Sequence, residues 1–137
     1  MPSFPYVMEK IKDGFIYRPK IPMTISYKES RIETYGIIDS GSDITILPRE
    51  IAKILGIELT GKQTEIGGIG GGLLKVVIDF VNLNVGGNPI IHAKVHIPTE
   101  GSNDADQIIL GHEPLFQEFN ITFEFNSKRI VLNKIRH

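Results

Sequence analysis

The chain contains no cysteine and no tryptophan. The first absence excludes disulfides, thiol nucleophiles and zinc–thiolate sites. Charge of one sign is also missing: the net charge is −1, with 23 % charged residues. That leaves no electrostatic footprint for nucleic acid or for an anionic membrane. Long apolar runs are absent too. The best candidate, Leu73–Val85, is interrupted by Lys75, Asp79, Asn82 and Asn84, too short and too polar to span a bilayer. The start, Met1-Pro2-Ser3-Phe4-Pro5-Tyr6, lacks a basic segment followed by an apolar stretch, so no signal peptide is expected. A cytoplasmic location is the expectation.

What is present is 137 residues with 41 % hydrophobics. This fits one globular domain over 1–137, able to bury about 70 % of its unfolded surface. Glycine is plentiful at 14, and five of these fall within Gly67–Gly72.

The periodicity is mostly that of strands. Pro22–Tyr27 places Met23, Ile25 and Tyr27 on one side. Thr34–Ile38 is β-prone, and Ile44–Leu47 is a short apolar run. Leu73–Val85 reads as a long strand closed by a hairpin turn at Gly86-Gly87-Asn88. Ile91, Ala93, Val95 and Ile97 alternate with His92, Lys94 and His96, and Phe119, Ile121, Phe123 and Phe125 alternate with polar residues. Period two predicts one buried face in each. Ile130–Leu132 is a candidate hairpin partner. Two short helices are expected. Pro48–Leu55 has Pro at its start, Gly56 after its end and an Ile51, Ile54, Leu55 stripe. Glu113–Phe119 has Pro114 in its first turn and a Leu115, Phe116, Phe119 stripe. Many short strands with few helices point to a closed barrel or sandwich. Gly101–Asp106 is the expected mobile loop.

Three segments can carry chemistry. In Ile37-Ile38-Asp39-Ser40-Gly41-Ser42-Asp43 a carboxylate follows a strand on a tight Ser-Gly turn. The plain alternative is an Asx-type turn joining two strands. Glu65–Val76 is a hairpin whose glycine-rich tip can lay bare backbone groups against an extended ligand. A phosphate loop would need a helix after the glycines, whereas Leu73–Val85 reads as strand. Gln107–Leu115 is an apolar strand ending at Gly111 and entering a short helix, unspecific by itself. His92 and His96 lie about 13 Å apart along a strand, which excludes a shared metal; the histidines are expected on solvated surfaces.

Taken in this order, Ile37–Ser42, Ile66–Lys75 and Ile108–Leu115 resemble the retropepsins, the retroviral-type aspartic proteases, and their cellular single-domain relatives. The likeness spans about 20–132, and the Pro48–Leu55 helix is more like the cellular members. The resemblance implies an all-β, closed acid-protease barrel with two short helices, working as a homodimer on a peptide or protein substrate, with no cofactor, no metal, no nucleic acid and no membrane. It implies Asp39 as the catalytic carboxylate in an active-site loop with Ser40, Gly41 and Ser42. Ser40 would brace the two loops across the dimer. Gly41 and Asp43 would bind substrate main chain, Gly67, Gly68 and Ile69 would form a flap tip, and Ile46, Ile66, Gln107 and Ile109 would line side pockets. Two departures stand out. His112 occupies the position where retroviral enzymes usually carry an Arg paired with the acid at the Asp43 position. The segments Met1–Lys20 and Asn133–His137 match nothing clearly. These departures keep open a non-catalytic peptide-binding or scaffold module on the same fold.

Overall fold

The computed structural model describes residues 2–61, 63–67, 72–100 and 107–137. The strands are β1 (Ser3–Pro5), β2 (Val7–Ile11), β3 (Gly14–Arg18), β4 (Lys20–Tyr27), β5 (Ser30–Ile38), β6 (Gln63–Gly67), β7 (Leu73–Val85), β8 (Asn88–Pro98), β9 (Ile108–Leu110), β10 (Phe119–Glu124) and β11 (Arg129–Lys134). One α-helix, α1 (Arg49–Ile54), and one π-helical turn, His112–Phe116, interrupt them. No helix among the described residues is long and apolar enough to cross a membrane.

The largest sheet runs β6-β7-β4-β5-β9, with β8 on β7. β7 reaches several partners because it is 13 residues long. Its first half pairs with β6, its last residues with β4, and β8 follows it from Val76 to Val85. Gly86 and Gly87 turn the chain into β8 at φ 57° and 89°, the left-handed torsions that a tight hairpin requires. β9 joins β5 in parallel, pairing Gly36 with Ile108 and Ile38 with Leu110. The short apolar run Ile44–Leu47 forms single rungs, bridging Ile46 to His96 of β8 and to Ile109 of β9.

The core follows these alternations. Ile21 and Ile25 of β4, Ile97 of β8 and Leu110 of β9 are each 0 % exposed. Each such side chain contributes about 1.5–3 kcal/mol by leaving water. β1, β11 and β10 form a separate three-stranded sheet, whose Phe119, Ile130 and Leu132 join the same core.

Four expectations need correction. In β8 the register shifts between Val81 and Leu83, which face Ala93 and Ile90. The extra residue on β8 inverts the phase, so Ile90 is buried and Ile91 is 71 % exposed. His92 sits at the bulge with φ 57°, its amide bonded to Asn82 Oδ1 at 3.0 Å and its ring stacked on Phe80 at 4.2 Å. In α1 the buried residue is Ala52, joined by Leu55 just past the helix end, while Ile54 is 67 % exposed. The helix turns its small residue to the interior, which places Ile54 outside. The second helix is shorter than Glu113–Phe119. Glu113 is extended at φ −104° and ψ 122°, as the residue before a proline tends to be, and Phe119 already belongs to β10. On β10 the buried face ends early: Phe119 is 2 % exposed, yet Phe123 reaches 38 % and Phe125 beyond it 63 %. The Met1–Lys20 region, for which the sequence offered no element, holds β1, β2 and β3. The expected loop at Gly101–Asp106 lies outside the described residues.

Candidate active site

Asp39 follows the last residue of β5. The strand end is held on both edges: Asp39 N–H donates to Leu110 O of the parallel β9 at 3.0 Å, and the preceding Ile38 N–H donates to Pro19 O, just before the antiparallel β4, at 2.9 Å. The turn then closes on itself. Gly41 N–H donates to Asp39 Oδ1 at 2.9 Å and Ser42 N–H to Asp39 O at 3.2 Å. Ser42 Oγ donates to Ile44 O at 2.8 Å. One carboxylate oxygen is thus oriented by its own loop while the side chain stays exposed.

A second set of bonds clamps this turn to the strand exit at Gly111. His112 N–H donates to Ser42 O at 2.8 Å and Glu113 N–H to Asp43 O at 3.2 Å. The buried Thr45 hydroxyl donates to Glu113 O at 2.8 Å and accepts from Gly111 N–H at 3.4 Å. Gly111 is where the two segments touch. A Cβ there would strike Ile44 O and stand 2.6 Å from Ser42 O.

The turn forms one wall of a cleft of about 580 Å³. Asp39, Gly41, Ser42, Asp43, Ile46, Ile66, Gly67 and Ile109 all line it, with Ile44 and Leu74. Of the residues expected at the site, Ser40 and Gln107 are not in that lining. Gln107 sits half-buried in the bend before β9. Gly68 and Ile69 lie outside the described residues. Leu74 went unread in the sequence, although it is the cross-strand partner of Ile66 and so shares its face. The cleft is apolar on the β6–β7 side and polar on the Asp39 side, suited to an extended chain with apolar side groups.

His112 holds the loop from outside. Its Nε2 stands 2.5 Å from Ser40 O. A carbonyl only accepts, so Nε2 carries the proton. Nδ1 faces Asp43 Oδ1 at 3.8 Å, a loose ion pair formed only when the ring is charged. The ring meets Phe116 edge-on at 5.2 Å.

His96 is the residue that sequence reasoning misplaced. It is 6 % exposed, and the Thr45–Leu47 segment pairs alongside it: its N–H donates to Thr45 O at 2.9 Å and its carbonyl accepts from Leu47 N–H at 3.0 Å. Burial holds its imidazole below the ordinary 6.5, and Lys94 adds to this, while the Thr45 backbone and Glu113 oppose it. Its Nδ1 is buried with no hydrogen-bond partner.

The three-dimensional arrangement has a close counterpart. The chain superposes on the crystal structure of a retropepsin-like aspartic protease from Rickettsia conorii with a TM-score of 0.63, over 96 % of this chain and 92 % of that one, at 19 % identity. The fold is retropepsin-like. No family model matches the sequence, and no curated protein matches it either. The retropepsin-like likeness therefore lives in the backbone path, and the chemistry must be argued from the residues themselves.

Proposed function

We propose that this chain is an aspartic endopeptidase, assembled as a homodimer with one Asp39 from each copy. The observation that carries the reading is the position of Asp39: at a strand end, on a hydrogen-bonded Ser-Gly turn, in a cleft lined also by Ile66, Gly67 and Leu74 of β6 and β7. Peptide hydrolysis of this kind needs two carboxylates that share a proton. Like charges about 3 Å apart cannot both ionise, so one serves as base and the other as acid. The base takes a proton from water, which attacks the scissile carbonyl. The acid protonates the carbonyl oxygen and later the leaving nitrogen. The sequence holds no second Asp-Ser-Gly or Asp-Thr-Gly, so the second carboxylate is that of another copy on a two-fold axis.

The finer features follow the same reading. The Ile46 rungs between β8 and β9 support a closed barrel. Gly67, Gly68 and Ile69 would form the flap tip, and Gly41 O and Asp43 would meet substrate main chain. The apolar Ile46, Ile66 and Ile109 favour apolar side chains beside the scissile bond.

The test is Asp39→Asn, with folding checked by circular dichroism. Cleavage of a peptide library should fall at least about 100-fold. Undiminished cleavage would sink the reading. A mimic of the tetrahedral intermediate should bind the wild type and lose its affinity for Asp39→Asn. Binding indifferent to Asp39 would favour a non-catalytic peptide-binding module.

A further inference from the structure

β2 and β3 make a two-stranded sheet of their own. An isolated hairpin is marginal in water and gains its stability from something packed on it. This hairpin is rooted at the catalytic end of the molecule. Arg18 leads through Pro19 into β4, and Pro19 O accepts the Ile38 N–H, one residue before Asp39. Glu9 pairs with Lys20 and, at 3.4 Å, with Arg18. That contact turns the Glu9 face towards the chain's own β4. The opposite face carries Met8 against Tyr17 and Lys10 against Phe15. Met8 is 55 %, Phe15 61 % and Tyr17 48 % exposed. Lys128 continues the patch, with its ammonium 5.4 Å from the Tyr17 ring centroid and 3.4 Å from that of Phe125.

We propose that this face is an arm that clasps a second copy of the chain. The inference rests on the reading of Asp39 as half of a shared dyad. That reading requires a second copy at the end of the molecule where the hairpin is rooted, and strands of five residues reach about 17 Å from there. A contiguous aromatic and thioether patch of this kind marks an interaction site. A lipid surface fits less well. The face carries Lys10 and Lys128 beside its apolar side chains, short of the cluster of about four to eight cations that marks recognition of anionic headgroups. A two-fold contact would use the same face on both copies, so both exposed patches would be covered at once.

The experiment is sedimentation of the full chain, as wild type, Phe15→Ser and Phe15→Ser/Tyr17→Ser, with cleavage activity followed against protein concentration. Both substitutions are at exposed positions, and the single variant guards against misfolding of the double. The dimer constant should weaken at least about 30-fold in the double variant, the effect of losing an interface hot spot. Activity per mole should then rise again as the double variant is concentrated, which a misfolded protein would not do. A dimer of unchanged strength in both variants overturns the arm and leaves the dyad standing. A wild type that is monomeric yet cleaves through Asp39 overturns the shared dyad, and the arm falls with it. Flotation with phosphatidylserine vesicles that is lost in the variants, at unchanged dimer strength, would give the face to a membrane instead.

Discussion

Gly111→Ala should damage this protein out of proportion to one added methyl group. The torsions at Gly111, φ −98° and ψ −165°, are ordinary extended backbone, so alanine meets no conformational objection. The objection is steric. The new Cβ would strike Ile44 O and lie 2.6 Å from Ser42 O. Both are backbone atoms and cannot swing aside as a flexible side chain does. Relief requires the 42–44 segment to retreat from the Gly111 strand exit. The bonds at risk are His112 N–H to Ser42 O and Thr45 Oγ1 to Glu113 O, each 2.8 Å. Overpacking costs about 1–3 kcal/mol, and each weakened bond adds up to about 1 kcal/mol. A destabilisation of about 3 kcal/mol is expected, roughly 10 °C in Tm for a chain of this size. The assay is urea and thermal unfolding followed by far-ultraviolet circular dichroism, since the chain has no tryptophan to report. Gly72→Ala is the control: nothing lies within 4 Å of a Cβ there, and its stability should stay within about 0.5 kcal/mol of wild type. Activity should fall further than stability in Gly111→Ala, because the displaced segment continues the turn that holds Asp39. A Gly111→Ala protein as stable as the control would refute the packing argument.

Two further outcomes follow from positions that the fold reassigned. His96 is held below its ordinary 6.5, so the unfolded chain binds the extra proton first as pH falls; its contribution is complete above about 6.5 and is lost as acid drives the folded group to protonate. Urea midpoints should therefore drop from pH 7 towards pH 5, and less steeply in His96→Phe; equal slopes would refute this. The bulge in β8 predicts that Ile90→Ala costs about 2–5 kcal/mol and Ile91→Ala less than about 0.5 kcal/mol; equal losses in denaturant melts would refute the phase inversion.

The long strand Leu73–Val85 was readable to its ends because β-branched residues fill it and a Gly-Gly turn closes it. The α1 region was readable from Pro48 and Gly56. The failures have physical causes. Period two assumes an unbroken ladder, and the single extra residue near His92 carries no signal beyond a non-glycine residue forced to φ 57°. The same rule called His96 solvated because it lies opposite Val95 and Ile97. It is nonetheless buried, at a point where residues 45–47, distant in sequence, pair alongside β8. Burial on the second face of a strand is decided by a different part of the chain.

The cleft shows the same division. Asp39, Gly41 and Ser42 could be located because a strand end followed by Ser-Gly is a local pattern with a local geometry. Ile66 and Ile109 reach the same cleft only through pairing, one with Leu74 across the hairpin and the other with Ile46 across the rung. The β2–β3 hairpin stayed unread for a further reason. Glu9, Arg18 and Lys20 are explained within the chain by their ion pairs, but Met8, Phe15 and Tyr17 have no buried face in a single copy. A sequence whose apolar alternation has nothing in the monomer to bury it looks like noise until a second molecule is considered. The proposed dyad at Asp39 calls for that second molecule, and the proposed arm rests on it, so sedimentation of the wild type and of the hairpin variants tests the two in turn.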